Sequence, residues 1–153
     1  MPLSKRKQQA LMKKLISYVD STIQKGENPF ACFLLDEKGK IVMRSHNKQN
    51  SMKDRTAHAE VSLIRKASKK LGTFYFKEYS IMCNCEPCSM CSSLLIKAKI
   101  KTIYYGAPMD KGNDPYLPAE EIMKYSKHKI KIIGGILEES CKKQIYEKRR
   151  EKF

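Results

Sequence analysis

The segments His58-Ala59-Glu60 and Pro87-Cys88-Ser89-Met90-Cys91 make sense only together, and this requirement limits the fold more than any other feature of the chain. One imidazole and two thiolates hold a zinc ion and leave its fourth position open. A glutamate two residues past the histidine reaches whatever fills that position. An open zinc position beside a carboxylate makes water a nucleophile at neutral pH. The fold must therefore carry His58 to Cys88 and Cys91.

The remaining pattern is that of an α/β chain. Leu11, Leu15, Val19 and Ile23 recur at helical spacing and predict a first helix over 8–25, ended by Gly26. The apolar run Phe30 to Leu35 suits a strand buried on both faces. Asp36-Glu37-Lys38-Gly39 reads as a hairpin turn into a second strand over 41–44. A polar loop over 47–55 follows, and Thr56 is a candidate cap for a helix starting near His58. A strand over 79–83, a helix over 88–98 and a strand over 102–105 form a strand-helix-strand unit, which favours a parallel pair. Beyond a proline-rich loop lie a short helix over 118–125, an edge strand over 130–133 and a last helix on Leu137, Cys141 and Ile145. The basic end of that helix, Lys148-Arg149-Arg150, suits the negative pole of the helix dipole. The order argues for one domain, a three-layer α/β/α sandwich on a five-stranded mixed sheet. His58 and the cysteine pair fall at predicted helix starts, where backbone N–H groups favour thiolate over thiol.

Composition narrows the setting. At 41% apolar residues, the chain can build a core without leaning on metal or disulfides. No segment resembles a signal peptide or a membrane span, so a cytoplasmic protein with no membrane partner is expected. Cys83, Cys85, Cys88 and Cys91 are crowded in a way that suits metal better than a secreted disulfide framework. Cys32 and Cys141 read as small core residues. The net charge of +15 would attract nucleic acid or phosphorylated ligands, or simply keep a lysine-rich surface solvated.

In this order and spacing the two segments resemble the signature of zinc deaminases, and the reaction that this resemblance implies, replacing an exocyclic amine on an aromatic ring by oxygen, needs water stronger than bulk water as a nucleophile. Zinc at His58, Cys88 and Cys91 would lower the pKa of its water, and two thiolates would temper its acidity, so a base is needed. Glu60 would take a proton from that water, pass it to the ring nitrogen and help the ammonia leave. Pro87 fits the first turn of the following helix, which would present the Cys88 backbone N–H to the developing negative oxygen. A four-cysteine zinc site from Cys83, Cys85, Cys88 and Cys91 is the structural rival, but it leaves His58 and Glu60 without a use. Cys83 and Cys85 are expected on one strand face, as packing residues. His128, between lysines, is expected in a solvated loop.

The order H-x-E then P-C-x-x-C is that of zinc deaminases. Over nearly its whole length the chain resembles the cytidine and deoxycytidylate deaminase superfamily. Within it, the resemblance is to the branch of bacterial guanine deaminases and tRNA adenosine deaminases. Asn28-Pro29-Phe30-Ala31, His46-Asn47, Thr56-Ala57-His58-Ala59-Glu60, Lys69-Lys70-Leu71-Gly72-Thr73, Cys85-Glu86-Pro87-Cys88-Ser89-Met90-Cys91 and Tyr105-Gly106-Ala107 carry it. The resemblance implies a zinc hydrolase whose Asn47 side chain and Ala59 backbone contact a purine-type ring, with Phe30 and Asp114 also at the substrate. It further implies a homodimer. Pro29-Phe30 is similar to the free-base enzymes, and an aspartate near Asp114 reads the base in guanine deaminases. The last helix and Arg149-Arg150 are similar to the tRNA enzymes, but the stretch from Asp110 to Tyr116 matches neither well. Arg55 stands where the branch usually has proline. The expectation is deamination of a base or nucleoside, guanine-type favoured. The alternatives are adenosine-to-inosine editing of tRNA and a nucleic-acid-binding module on a retained zinc fold.

Overall fold

A computed structural model describes residues 1–148; Arg149 and Arg150 lie outside the described residues. The elements run α1 (Lys5–Gln24), β1 (Ala31–Leu35), β2 (Ile41–His46), α2 (Gln49–Met52), α3 (Ala59–Leu71), β3 (Ser80–Cys85), α4 (Ser89–Lys97), β4 (Thr102–Ala107), α5 (Ala119–Met123), β5 (Lys131–Ile133) and α6 (Glu138–Lys148).

The sheet order is β2-β1-β3-β4-β5. β1 is antiparallel to both β2 and β3, whereas β3, β4 and β5 are mutually parallel. All five residues of β1 are buried, as expected of a strand covered on both faces. The turn into β2 is set by Asp36, whose Oδ1 accepts the N–H groups of Lys38 and Lys40, each at 2.9 Å. Gly39 supplies the positive φ of +82°.

Helices cover both faces, which makes the three layers. On one side, Leu63, Ile64 and Ala67 of α3 and Leu95 of α4 pack on Leu34, Ile81 and Ile103. On the other, Leu11, Leu15 and Val19 of α1 and Cys141 and Ile145 of α6 pack on Phe33, Met82 and Tyr104. Contact between α6 and β4 depends on Gly106: a Cβ there would collide with Cys141 Sγ and stand 2.9 Å from Asn84 O.

Three local readings are corrected. The stretch expected as a polar loop holds α2. Its first turn is capped from a distance by Glu27, whose Oε1 accepts Asn50 N at 3.1 Å and Ser51 N at 3.2 Å. Thr56 does not cap α3. Its N–H and hydroxyl both go to Asp54 Oδ1 at 2.8 Å, and His58 is the N-cap. Pro87 precedes the α4 N-cap, Cys88, rather than entering the first turn. Among the described residues, no helix is long and apolar enough to cross a membrane.

Candidate active site

Both N-caps break the usual rule. Ser, Thr, Asp or Asn is favoured there because its side chain bonds back to its own helix. His58 and Cys88 make no such cap bond. Their side chains turn toward each other at the carboxyl end of β3, the end of a parallel sheet where ligand sites gather. His58 Nδ1 lies 3.5 Å from Cys88 Sγ and 3.6 Å from Cys91 Sγ. The three ligand atoms fall within 4.8 Å of one another.

These distances fit zinc. With Zn–N near 2.05 Å and Zn–S near 2.3 Å, tetrahedral coordination puts nitrogen and sulfur about 3.6 Å apart. His58 and Cys88 also line the cavity described below. The sulfurs are electrostatically unlike. The Cys91 hydrogen bond and then the His58 ring draw the Cys88 thiol down to about 4 against the pull of burial. The same shared bond, with burial, drives Cys91 upward. Any proton still on either sulfur must leave when metal binds.

Glu60, in the first turn of α3, is 8% exposed. Burial, and then the negative Cys88 sulfur, hold its carboxyl above the usual range. It lines a cavity of about 460 Å³ together with His58, Cys88, Ala59, Asn47, Phe30 and Asp114. The four-cysteine alternative does not form: the metal cluster is His58, Cys88 and Cys91, and Cys83 is buried in the α3 side of the core. Cys83 and Cys85 also part company, since Cys85 packs toward the opposite core cluster.

Residues 5–107 match the family model described as the cytidine and deoxycytidylate deaminase zinc-binding region. The chain belongs to that family. It is a zinc-dependent deaminase. It is 29% identical over 132 residues to the tRNA-specific adenosine deaminase of Bacillus subtilis (strain 168), which covers 85% of this chain and 81% of that protein. A solved structure from work on A-to-I editing by tRNA:A34 deaminases superposes with a TM-score of 0.77 at 27% identity, covering 87% of this chain and 96% of the other. The guanine deaminase of Nitrosomonas europaea gives a TM-score of 0.81 at 21% identity, covering 91% and 82%, a likeness of fold alone.

Within the deaminase cavity, several placements were not legible in the sequence. Asn47 is 2% exposed, and its amide is already engaged: Nδ2 donates to Gln49 Oε1 at 2.9 Å and Oδ1 accepts Gln49 N at 3.0 Å. An amide retains further donor and acceptor capacity, so these bonds orient Asn47 without exhausting it. Asn84 staples β1 to β3 from beneath the cavity: Oδ1 accepts Ala31 N at 3.0 Å and Nδ2 donates to Pro29 O at 2.8 Å. Glu86 accepts Met109 N at 3.0 Å and Ala119 N at 2.8 Å, fastening both ends of the segment that carries Asp114. Arg55 joins the lining too. His46 donates from Nδ1 to Asn47 O at 2.7 Å. His128 is half-buried and donates from Nε2 to Ile100 O at 2.8 Å, which corrects the expectation of a solvated loop histidine.

Proposed function

We propose that this deaminase replaces the exocyclic amine of a purine-type base or nucleoside by oxygen, with a guanine-type base favoured. One observation carries the reading. The cavity that holds Glu60 beside the zinc ligands is also walled by Phe30, Asn47 and a carboxylate from the 110–116 stretch, Asp114. Phe30 offers the ring an apolar wall. A guanine-type ring carries N–H donors besides the reacting amine, and Asp114 is the acceptor for them. Asn47 and the Ala59 backbone hold the ring edge near Glu60.

Zinc bound by His58, Cys88 and Cys91 supplies Lewis acidity that lowers the pKa of water. Glu60 removes a proton from the attacking water and places it on the ring nitrogen next to the reacting carbon. The C–O bond forms as that nitrogen takes up its proton. Glu60 then takes the remaining proton from the new hydroxyl and delivers it to the amine, the C–N bond breaks, and ammonia leaves behind a ring carbonyl. A carboxyl whose proton affinity is raised by burial suits this alternation of base and acid. The Cys88 N–H at the head of α4 would stabilise that oxygen as charge develops on it.

A second reading, adenosine-to-inosine deamination in tRNA, draws on the Bacillus subtilis relative and on the net charge of +15. In both readings a homodimer is proposed. Ammonia release measured on guanine, guanosine, adenosine, cytidine and a tRNA anticodon stem-loop separates the two. Turnover of the free base is expected. Turnover of the stem-loop alone would overturn the guanine-type reading. Glu60→Ala is expected to keep zinc and fold while losing at least about 10²-fold in kcat.

A further inference from the structure

The lysines of this chain are not spread evenly, and the densest group lies away from the cavity. Segments 69–78, 97–101 and 127–131 contain nine lysines and one acidic residue, Glu78. They are brought together by backbone and ring hydrogen bonds. Phe76 N donates to Ala98 O at 2.8 Å, Lys131 N to Lys101 O at 3.3 Å, and His128 Nε2 to Ile100 O at 2.8 Å. All three segments sit where β3, β4 and β5 begin and where α3 and α4 end. The cavity sits at the other ends of α3, α4 and β3. α3 alone, with 13 residues, separates the two by about 20 Å.

This pole has a second property. Phe74 is 81% exposed and Tyr75 55%, with ring centroids 6.2 Å apart. The loop holding them is fixed by Thr73, whose Oγ1 accepts Tyr75 N at 3.1 Å and donates to Tyr75 O at 3.2 Å. Two large rings held in water amid lysines are the parts of a site that tracks phosphates with cations and stacks unpaired bases on aromatic faces. Lys97, Lys101, Lys127 and Lys131 are exposed. Lys101 also reaches Glu37 at 3.9 Å, an exposed pair that a phosphate can displace.

We propose that the pole formed by 69–78, 97–101 and 127–131 is a binding surface for single-stranded nucleic acid, separate from the deaminase cavity. The charge supplies attraction to a polyanion. The rings select unpaired bases over duplex, because a duplex keeps its base faces stacked. The surface does not depend on which amine the cavity removes, so its test does not read turnover.

The test is fluorescence anisotropy of a labelled, unstructured RNA strand with the zinc-loaded full chain across a salt series. The triple variant Lys97→Gln, Lys127→Gln, Lys131→Gln is expected to flatten the slope of log affinity against log salt by about 2, at about 0.7 per lost phosphate contact. Phe74→Ala is expected to weaken strand binding about fivefold or more and to leave duplex binding unchanged. Both variants are expected to keep the wild-type far-UV circular dichroism and urea midpoint, which shows that they fold. Three results would overturn the proposal: no RNA binding at low salt, variants that bind like wild type, or binding abolished only by Glu60→Ala. Capture by phosphatidylserine vesicles without RNA binding would equally reject it and assign the pole to a membrane surface.

Discussion

Two glutamates line one cavity and do different work. Glu60 is buried beside the zinc ligands with its carboxyl held above the usual range. Glu86 spends both oxygens on the N–H groups of Met109 and Ala119, so it shapes the loop that carries Asp114 rather than meeting a proton in transit. Glu86→Ala is therefore expected to raise KM with little change in kcat, a loss of uniform binding. Steady-state kinetics on the best substrate checks this, and an equal fall in kcat would place Glu86 in the chemistry. The sequence distinguishes these residues only halfway. Glu60 is legible because its offset from His58 and the cysteine pair is a chemical requirement. The partners of Glu86 lie far along the chain and exist only once the fold is formed. His46 yields a second residue-scale expectation. Burial lowers its pKa below 6.5, outweighing the favourable bond to Asn47 O. The unfolded chain then takes up the proton first, so stability is present above pH 6.5 and falls as pH drops toward the lower folded pKa. Urea midpoints measured from pH 7.5 to 5.5 are expected to decline for wild type. His46→Gln is expected to decline less over that window.

At the scale of elements, the metal site is built from two helix starts that forgo their own caps. His58 and Cys88 occupy N-cap positions without capping, because their ring and sulfur converge with Cys91 on one point where a shared ion would sit. Cys88→Ser isolates the cost. Serine is a good N-cap, and cysteine here makes no cap bond. In chelator, the variant is expected to be more stable than metal-free wild type by about 1 kcal/mol. In zinc the order reverses, since the variant loses a thiolate ligand and with it the stabilisation that binding gives. Denaturant titrations with and without zinc measure both halves. The strands, the five longer helical segments and the parallel β3–β4 pair were legible, because apolar spacing in α1 or β1 reports burial directly. α2 was not, because its cap is Glu27, on the other side of the β1–β2 hairpin. Thr56 misled for the opposite reason: a residue of good cap type was claimed by Asp54, leaving the N-cap to His58.

For the whole molecule, the question is how far the fold depends on its metal. The two apolar clusters lie on opposite faces of the sheet, and neither includes His58 or Cys88. Cys91 is buried, but its helix is anchored independently by Leu95 in the α3–α4 cluster. The cavity end is further held by bonds that need no ion, among them the Asn84 staple between β1 and β3 and the Glu86 clamp on the loop. Zinc therefore adds to a structure that already closes, unlike a small finger whose core is the metal. Removal of zinc by chelation is expected to leave the far-UV circular dichroism unchanged and unfolding cooperative. The unfolding free energy should fall by the linkage amount, about 2.7 kcal/mol when free zinc had stood at a hundred times its dissociation constant. Because His58 must be neutral and any proton still on either sulfur must leave on binding, this increment should shrink as pH is lowered. A metal-free chain that loses its helical signal, or unfolds without a cooperative transition, would show that the two cores do not sustain the sheet without the ion at its end.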